Sequence, residues 1–199
     1  MGRLGWTRLR EAIASKETLI VFVRDTAEEQ AELEGFQFRE AAAEDGDLYA
    51  REVGTDAAWT FRDRLSDSTR CFVVQRDGRL VHATWMTARA AWTRELRHYL
   101  LPPAGDAYVY ESYTHPEARG HGVYPFALRA ISAALARRGL KRVWVAAEKH
   151  NPSSLKAVDK GGFTPVYEIS YRRLWGTFRF DSIGEEGERV PRVSRTLEH

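Results

Sequence analysis

The sequence predicts an α/β protein whose central sheet is mixed, with both parallel and antiparallel strand pairs. Two observations carry this prediction. A strand, a glycine loop, a helix and a second strand follow one another between Asp106 and Ala147, and such a βαβ unit makes two parallel strands. An Asp77-Gly78 turn joins two runs of β-favouring residues, which predicts an antiparallel hairpin. The sheet therefore combines both kinds of pairing.

Composition limits the classes of function. The chain has 199 residues, 43% of them hydrophobic, which is enough to bury one sheet on both faces. The formal net charge of +2, without a basic stripe, argues against a nucleic-acid partner. No segment approaches the ~20 apolar residues of a membrane span and no signal-peptide core is present, so we expect a cytoplasmic protein without a membrane partner. The single Cys71 excludes an internal disulfide and is expected in the core.

The apolar pattern places the elements in order along the chain. They are a basic helix (4–15), two strands (19–23 and 36–39), two short helices (45–64), the hairpin strands (70–75 and 80–86), the βαβ unit (106–147), a short helix after Asn151, and two closing strands (164–174 and 177–181). Asp56 is expected to cap the second short helix. Residues 91–105 are expected to form a long connection.

The loop of the βαβ unit is suited to a phosphate. It follows the carboxyl end of the first strand and opens a helix, where unpaired N–H groups and the helix dipole favour an anion. Gly120 and Gly122 allow the backbone to come close to such a group, and Arg119 adds a charged donor. The third glycine of the dinucleotide fingerprint is absent, as is the Gly-Lys-Ser/Thr of Walker A.

What remains is Arg119-x-x-Gly122-x-Tyr124, followed 27 residues later by Asn151-Pro-Ser-Ser-Leu-Lys-Ala-Val-Asp-Lys-Gly-Gly-Phe163. The first motif resembles the acyl-coenzyme A loop of the GNAT superfamily of N-acetyltransferases, Gln/Arg-x-x-Gly-x-Gly/Ala. The second is similar to the asparagine and serine that open that family's next helix. Ordinary cap and turn residues would explain each piece, but not the order of all of them.

The resemblance covers roughly Phe36 to Leu174 and implies a GNAT-like fold, in which two parallel strands splay apart. It implies a domain over residues 36–183, with an added helix and strand in residues 1–35 that cover a sheet edge or form a homodimer contact. Residues 184–199 are then a polar tail, whose last residues, Leu197 to His199, look like the remnant of a purification tag.

Acetyl-coenzyme A is the cofactor that the resemblance implies. The backbone of Ser112 to Thr114 would pair with the pantetheine arm, and Asn151 and Ser154 would reach its other side. The pyrophosphate would be held by backbone N–H groups of the glycine loop: Arg119, Gly120, His121, Gly122, Val123 and Tyr124. In the family an amine attacks the thioester directly in a ternary complex.

An alkyl ammonium must lose a proton before it attacks. With a pKa of ~10 it is neutral about one time in 1,000 at pH 7, a handicap of ~4 kcal/mol. Glu111 is the first candidate for the base, with a structural carboxylate paired to an arginine as the alternative. Tyr113, two residues on, could orient the acceptor or return a proton to the thiolate. Weaker candidates are Asp106 and Glu148, expected to be solvated at strand ends, and His82, His115 and His121.

Two departures from the family pattern stand out. The tyrosine that many members use as a general acid corresponds to Val158, so that role passes to Tyr113, Tyr124 or water, or is not needed. Tyr124 and Pro125 replace the small residues that usually follow the loop.

No residue set has metal-ligand spacing, so no metal is predicted. The leading hypothesis is acetyl transfer to a small-molecule amine; the alternatives are transfer to a protein or peptide, and an acyl-coenzyme A binding module without turnover.

Overall fold

The computed structural model describes residues 14–29, 31–174, 177–183 and 189–196. Its strands are β1 Ala14–Asp25, β2 Gln37–Glu40, β3 Thr69–Arg76, β4 Arg79–Thr87, β5 Ala91–Thr93, β6 His98–Leu101, β7 Ala107–Thr114, β8 Arg142–Glu148, β9 Thr164–Leu174, β10 Thr177–Ile183 and β11 Arg192–Ser194. Its α-helices are α1 Gly46–Glu52, α2 Ala58–Arg64, α3 Val123–Ala136 and α4 Pro152–Lys160.

Within these described ranges the strands form two sheets. The larger has the order β10-β9-β1-β8-β7-β4-β3-β2, and the smaller the order β11-β6-β5. In the larger sheet β7 and β8 are parallel and the other pairs are antiparallel. The predicted mixed α/β sheet is therefore confirmed, as is the hairpin, whose turn residues Asp77 and Gly78 both have a positive φ.

Alternation along β3 and β4 gives each face of the sheet its own core. Phe72 and Met86 belong to the cluster that contains Leu128 and Ile131 of α3. Their neighbours point the other way: Cys71 and Trp85 pack with Tyr49 of α1 and Phe61 of α2. Helices therefore cover both faces, and Cys71 is a buried core residue as expected.

The N-terminal strand lies in the interior of the sheet. β1 pairs with β8 on one side and with β9 on the other, both antiparallel. We had expected this strand at a sheet edge or a dimer contact. Its central residues Leu19 and Val21 are buried, so the strand is part of the core around the parallel pair. Of the predicted helix 4–15, Ala14 and Ser15 belong to β1, and the remaining residues lie outside the described ranges.

Residues 91–105 contain two strands, so the expectation of a long connection was too simple. Ala91 and Thr93 of β5 are buried and Trp92 between them is exposed, an alternation that predicts a strand. The β5–β6 hairpin pairs with β11 near the carboxyl terminus. Tyr167 donates a hydrogen bond to the Pro191 carbonyl at 2.8 Å and links β9 to that segment.

The prediction that Asp56 caps the second short helix was wrong. Ala57 occupies the N-cap of α2, without a side-chain hydrogen bond, because the Asp56 carboxylate is instead bound by Arg64 at the far end of the helix. Of the polar tail, residues 184–188 and 197–199 lie outside the described ranges. No helix in the described part of the chain is long and apolar enough to cross a membrane.

Candidate functional site

A β-bulge in β7 shapes the site. Tyr113 pairs with Ala83 and Tyr110 pairs with Trp85, so two residues of β7, Glu111 and Ser112, oppose the single residue between them on β4. The backbone of Glu111 is part of the bulge, and its φ of 48° is a value that non-glycine residues rarely adopt. Such a strained residue next to a cavity is a feature that recurs at functional sites.

Beyond the bulge the parallel strands separate. β7 and β8 pair only from Ala107 with Val143 to Val109 with Val145. The carboxyl halves of both strands then line a cavity of about 340 Å³. The resemblance implied a splayed parallel pair of this kind, and the structure has it.

Two kinds of residue line the cavity. Some belong to the cofactor prediction: Ser112, Tyr124, Asn151 and Ser154. Others are aromatic or charged: Trp92, Arg94, Glu95, Tyr108, Tyr110, Glu111, Tyr113 and Glu148. Predicted cofactor residues and predicted acceptor carboxylates thus line one cavity, whereas residues 119–123 of the glycine loop do not line it. The sequence analysis missed the contribution of Trp92, Arg94 and Glu95, whose strand alternation was the available signal.

The glycine loop is built as a phosphate site requires. Gly120 and Gly122 have φ values of 82° and 76°, which favour glycine, and a Cβ on either would meet nothing within 4 Å. Gly122 is the N-cap of α3, without a side-chain hydrogen bond to the helix. In the part of the chain that the structure describes, the N–H groups of residues 120–124 make no hydrogen bond of normal length and angle to a protein acceptor. The open space and free donors fit a pyrophosphate.

Arg119 lies at the edge of this loop. Its Nε donates to the Thr114 carbonyl at 3.1 Å, and its side chain is exposed. His121 is also exposed, and His115 lies 3.8 Å from Glu117. Ala118 anchors the loop from beneath, since it is buried together with Val123 and Phe126. Apolar packing therefore holds one side of the loop, and the other side, with Arg119 and His121, is exposed.

Asn151 caps the second helix of the site. Its Oδ1 accepts hydrogen bonds from the Ser154 backbone N–H at 3.1 Å and from the Ser153 hydroxyl at 2.8 Å. Asn151 and Ser154 also line the cavity. On the same helix Val158 is fully buried in the apolar core beside Leu128, so the side chain at this position packs and does not reach the cavity.

Glu111 is held by an ion pair. Arg64 donates from Nη2 to Glu111 Oε2 at 2.7 Å, and from Nη1 to Asp56. The guanidinium also lies over the Trp85 ring, 3.9 Å from its centroid. The alternative to a catalytic role for Glu111 was a structural carboxylate paired with an arginine, and this pairing is present. Whether Glu111 is the base stays a prediction.

Glu148 faces the same cavity from the other splayed strand. Its Oε2 lies 3.4 Å from Nε2 of His150, whose Nδ1 lies 3.1 Å from Oε2 of Glu17 on β1. The Glu148 side chain is 33% exposed, so it is less solvated than we had expected for a strand end. The sequence did not predict this grouping because Glu17 and His150 are 133 residues apart and meet only through the pairing of β1 with β8.

A chain of hydroxyl groups lies under the bulge. Ser112 hydrogen-bonds to the Thr84 hydroxyl and to the phenol of Tyr124. Burial raises the pKa of Tyr124, and the bond to Ser112 offsets part of that rise. The Tyr124 ring also packs on His82, with ring centroids 5.4 Å apart.

His82 and Asp106 are buried residues with hydrogen-bond partners inside the protein. His82 is buried, its Nδ1 is 2.8 Å from the Thr114 hydroxyl, and burial lowers its pKa to about 3. Asp106 was expected to be solvated but is buried, where it accepts hydrogen bonds from Trp144 at 2.8 Å and Arg142 at 2.8 Å. Among the described residues, no group of three or more His, Cys, Asp or Glu side chains could hold a metal ion.

Residues 26–163 match the model of the acetyltransferase (GNAT) family. No match to the chain was found among curated proteins. Solved structures with a similar fold include a GCN5-related N-acetyltransferase from Sphaerobacter thermophilus, 11% identical over 92% of this chain and 58% of that one, with a TM-score of 0.59. An acetyltransferase of the GNAT family from Colwellia psychrerythraea is 18% identical over 91% of this chain and 63% of that one, with a TM-score of 0.53.

A third similar structure is the ribosomal-protein-alanine N-acetyltransferase from Brucella melitensis biovar Abortus. It is 13% identical over 63% of this chain and 89% of that one, with a TM-score of 0.50. The chain spans less than two thirds of the length of the Sphaerobacter and Colwellia proteins. At these identities the likeness concerns the fold alone.

Proposed function

The chain belongs to the acetyltransferase (GNAT) family, and from this premise we propose that it transfers an acetyl group from acetyl-coenzyme A to a primary amine of a small molecule. Transfer would occur by direct attack within a ternary complex. The observation that carries the proposal is a cavity between β7 and β8, which is lined both by Tyr124, in the helix turn that follows the glycine loop, and by the carboxylates Glu95, Glu111 and Glu148.

The residues present fit the cofactor. The free N–H groups of residues 120–124 would hold the pyrophosphate, with Arg119 at the rim. Beyond Val109, β7 has no strand partner on the side of β8, so the backbone from Ser112 to Thr114 would bind the pantetheine arm from that side, and Asn151 and Ser154 would line its other side. When bound, acetyl-coenzyme A supplies the activated thioester.

The size and lining of the cavity favour a small amine. The whole cavity has a volume of about 340 Å³, which lies at the lower end of the range for small-molecule sites. Glu111 and Glu148 offer carboxylates to an ammonium group, and Tyr108, Tyr110 and Tyr113 offer aromatic faces and phenols. Tyr113 remains our candidate for orienting the acceptor or for protonating the thiolate.

A binding module without turnover is the second candidate, because Val158 is buried where many family members place a catalytic tyrosine. Tyr124 weakens this alternative, since it brings a phenol to the cavity from α3. A tyrosine on a different helix could supply the proton that Val158 cannot.

Two measurements test the proposal. Coenzyme A at a hundredfold excess over its Kd should stabilise the protein by ~2.7 kcal/mol. Release of free thiol from acetyl-coenzyme A should then depend on an added amine, measured with alkyl amines, aryl amines and peptides. Tight binding without release on any acceptor would favour the module, and no stabilisation at saturating cofactor would contradict the proposal.

A further inference from the structure

We propose that Glu148 accepts the proton of the acceptor ammonium, and that His150, held by Glu17, passes it to solvent. The inference rests on the proposed function and names the proton path of that same site. It begins from the two cavity carboxylates that the splayed strands carry, Glu111 at the bulge of β7 and Glu148 at the end of β8. They have opposite kinds of partner.

Glu111 faces a cation that never loses its charge. Burial lowers the pKa of Arg64, but hydrogen bonding to Tyr110 and the charge of Glu111 outweigh it, so the pKa is raised. The guanidinium is fixed on three sides, by Asp56, Glu111 and the Trp85 ring. One oxygen of the Glu111 carboxylate is thus held by the guanidinium. Its other oxygen can bind and orient an ammonium.

Glu148 faces an imidazole, a group that gains and loses protons near neutral pH. The chain of atoms runs from Glu148 Oε2 to His150 Nε2 at 3.4 Å, and from His150 Nδ1 to Glu17 Oε2 at 3.1 Å. The His150 side chain is 61% exposed, whereas Glu148 is 33% exposed and lines the cavity. The imidazole therefore connects a carboxylate in the cavity to bulk water.

The other charged groups around this path are accounted for. Lys149 Nζ, beside His150 in sequence, is paired with Glu168 of β9 at 2.8 Å. Arg94 and Glu95 line the cavity from the segment between β5 and β6, and bring one charge of each sign. Glu17 and Glu148 are the anions that contact the His150 ring.

The proton balance follows from the reaction. The ammonium gives one proton to Glu148, which passes it to His150 and then to water. The neutral amine forms a C–N bond to the acetyl carbon as the C–S bond breaks, and its second proton ends on the departing sulfur. One ammonium and one thioester thus give one amide, one thiol and one released proton.

Glutamine substitutions separate the two carboxylates. Glu148→Gln should lower turnover of an alkyl amine by about 10²–10⁴, with a much smaller loss for an aryl amine that is already neutral. Glu111→Gln should raise KM for the acceptor more than it lowers kcat, with similar losses on both amines. Glu168→Gln, an exposed carboxylate paired with Lys149, is the matched control and should retain turnover. Stabilisation by coenzyme A confirms that each variant is folded.

His150 gives a test that needs no cofactor. In the free protein at one fixed pH, the His150 ring resonances should shift in Glu17→Gln and in Glu148→Gln, because each changes a group in contact with the ring, and should stay unchanged in Glu168→Gln. In turnover assays, His150→Ala should be slowed and partly restored by added imidazole, which can enter at this exposed position.

Three results would overturn the inference. They are an alkyl-specific loss in Glu111→Gln with none in Glu148→Gln, equal losses on both amines in Glu148→Gln, or unchanged His150 ring resonances in the carboxylate variants. The first two require a wild-type protein that turns over amines, and the third is measured without cofactor, so all three leave the proposed function intact. Failure of the wild type on every acceptor would instead contradict the proposed function.

Discussion

The two helices that follow the parallel strands begin in opposite ways. α3 starts at Gly122, in the left-handed region with no side-chain cap, and α4 starts at Asn151, whose side chain accepts the Ser154 N–H. A helix start leaves unpaired donors that need a partner. At α4 the protein supplies that partner itself. At α3 the donors stay open at the mouth of the cavity, which is the arrangement expected where a ligand supplies the acceptor.

The two helices also differ in how much of each is buried. α3 has 14 residues and buries one side deeply in the core, including Leu128, Ile131 and Leu135. α4 has nine residues, of which Val158 is the buried one. A long helix in the core is held by its apolar face, so losing one hydrogen bond at its start matters less than it does for a short helix with little burial. The cap should therefore contribute more to the stability of α4 than a cap would to that of α3.

The largest expected effect comes from closing the open helix start. Gly122→Val should reduce affinity for coenzyme A at least 100-fold, because a side chain there fills the space that the pyrophosphate needs and strains a φ of 76°. Gly139→Val is the matched control: its φ is 77°, it also has open space, and it lies just beyond the other end of α3. Both variants lose stability, but only Gly122→Val should lose the thermal shift with cofactor. Retained binding in Gly122→Val would contradict the phosphate site.

Acid should lower the stability of the protein through His82, which packs beneath the first turn of α3. His82 packs beneath Tyr124 in the first turn of α3, and burial lowers its pKa to about 3 from an ordinary value near 6.5. Between these values the unfolded chain binds a proton that the folded protein does not, so stability falls as pH falls. From pH 6 to pH 4.5 this costs up to about 2 kcal/mol.

His82→Asn isolates this contribution. Asparagine can still hydrogen-bond to Thr114 but does not titrate, so its loss of stability between pH 6 and pH 4.5 should be smaller than that of the wild type. Denaturant unfolding at both pH values measures the difference. Parallel pH dependences for the two proteins would show that folding does not lower the pKa of His82.

The sequence predicted the local parts of the site and missed the parts made by long-range pairing. The glycine loop and the Asn151 cap are encoded within a few residues, so their geometry follows from residue type. The bulge at Glu111 depends on the register against β4, which no local pattern sets. The position of β1 inside the sheet likewise depends on partners over a hundred residues away, and it alone brings Glu17 to His150.

The smallest expected effect comes from the capped start, where two substitutions separate the roles of one side chain. Asn151→Ala removes the cap and should lower the free energy of unfolding by ~1 kcal/mol, or about 2–4 °C in Tm. Asn151→Asp keeps an oxygen for the Ser154 N–H and should restore that stability. If the amide also donates to the pantetheine arm, both variants should bind coenzyme A about tenfold more weakly, because neither retains the donor. Thermal unfolding with and without cofactor measures both quantities. Full affinity for coenzyme A in Asn151→Asp would show that Asn151 only caps the helix. Equal stability of Asn151→Ala and the wild type would show that α4 does not depend on its cap.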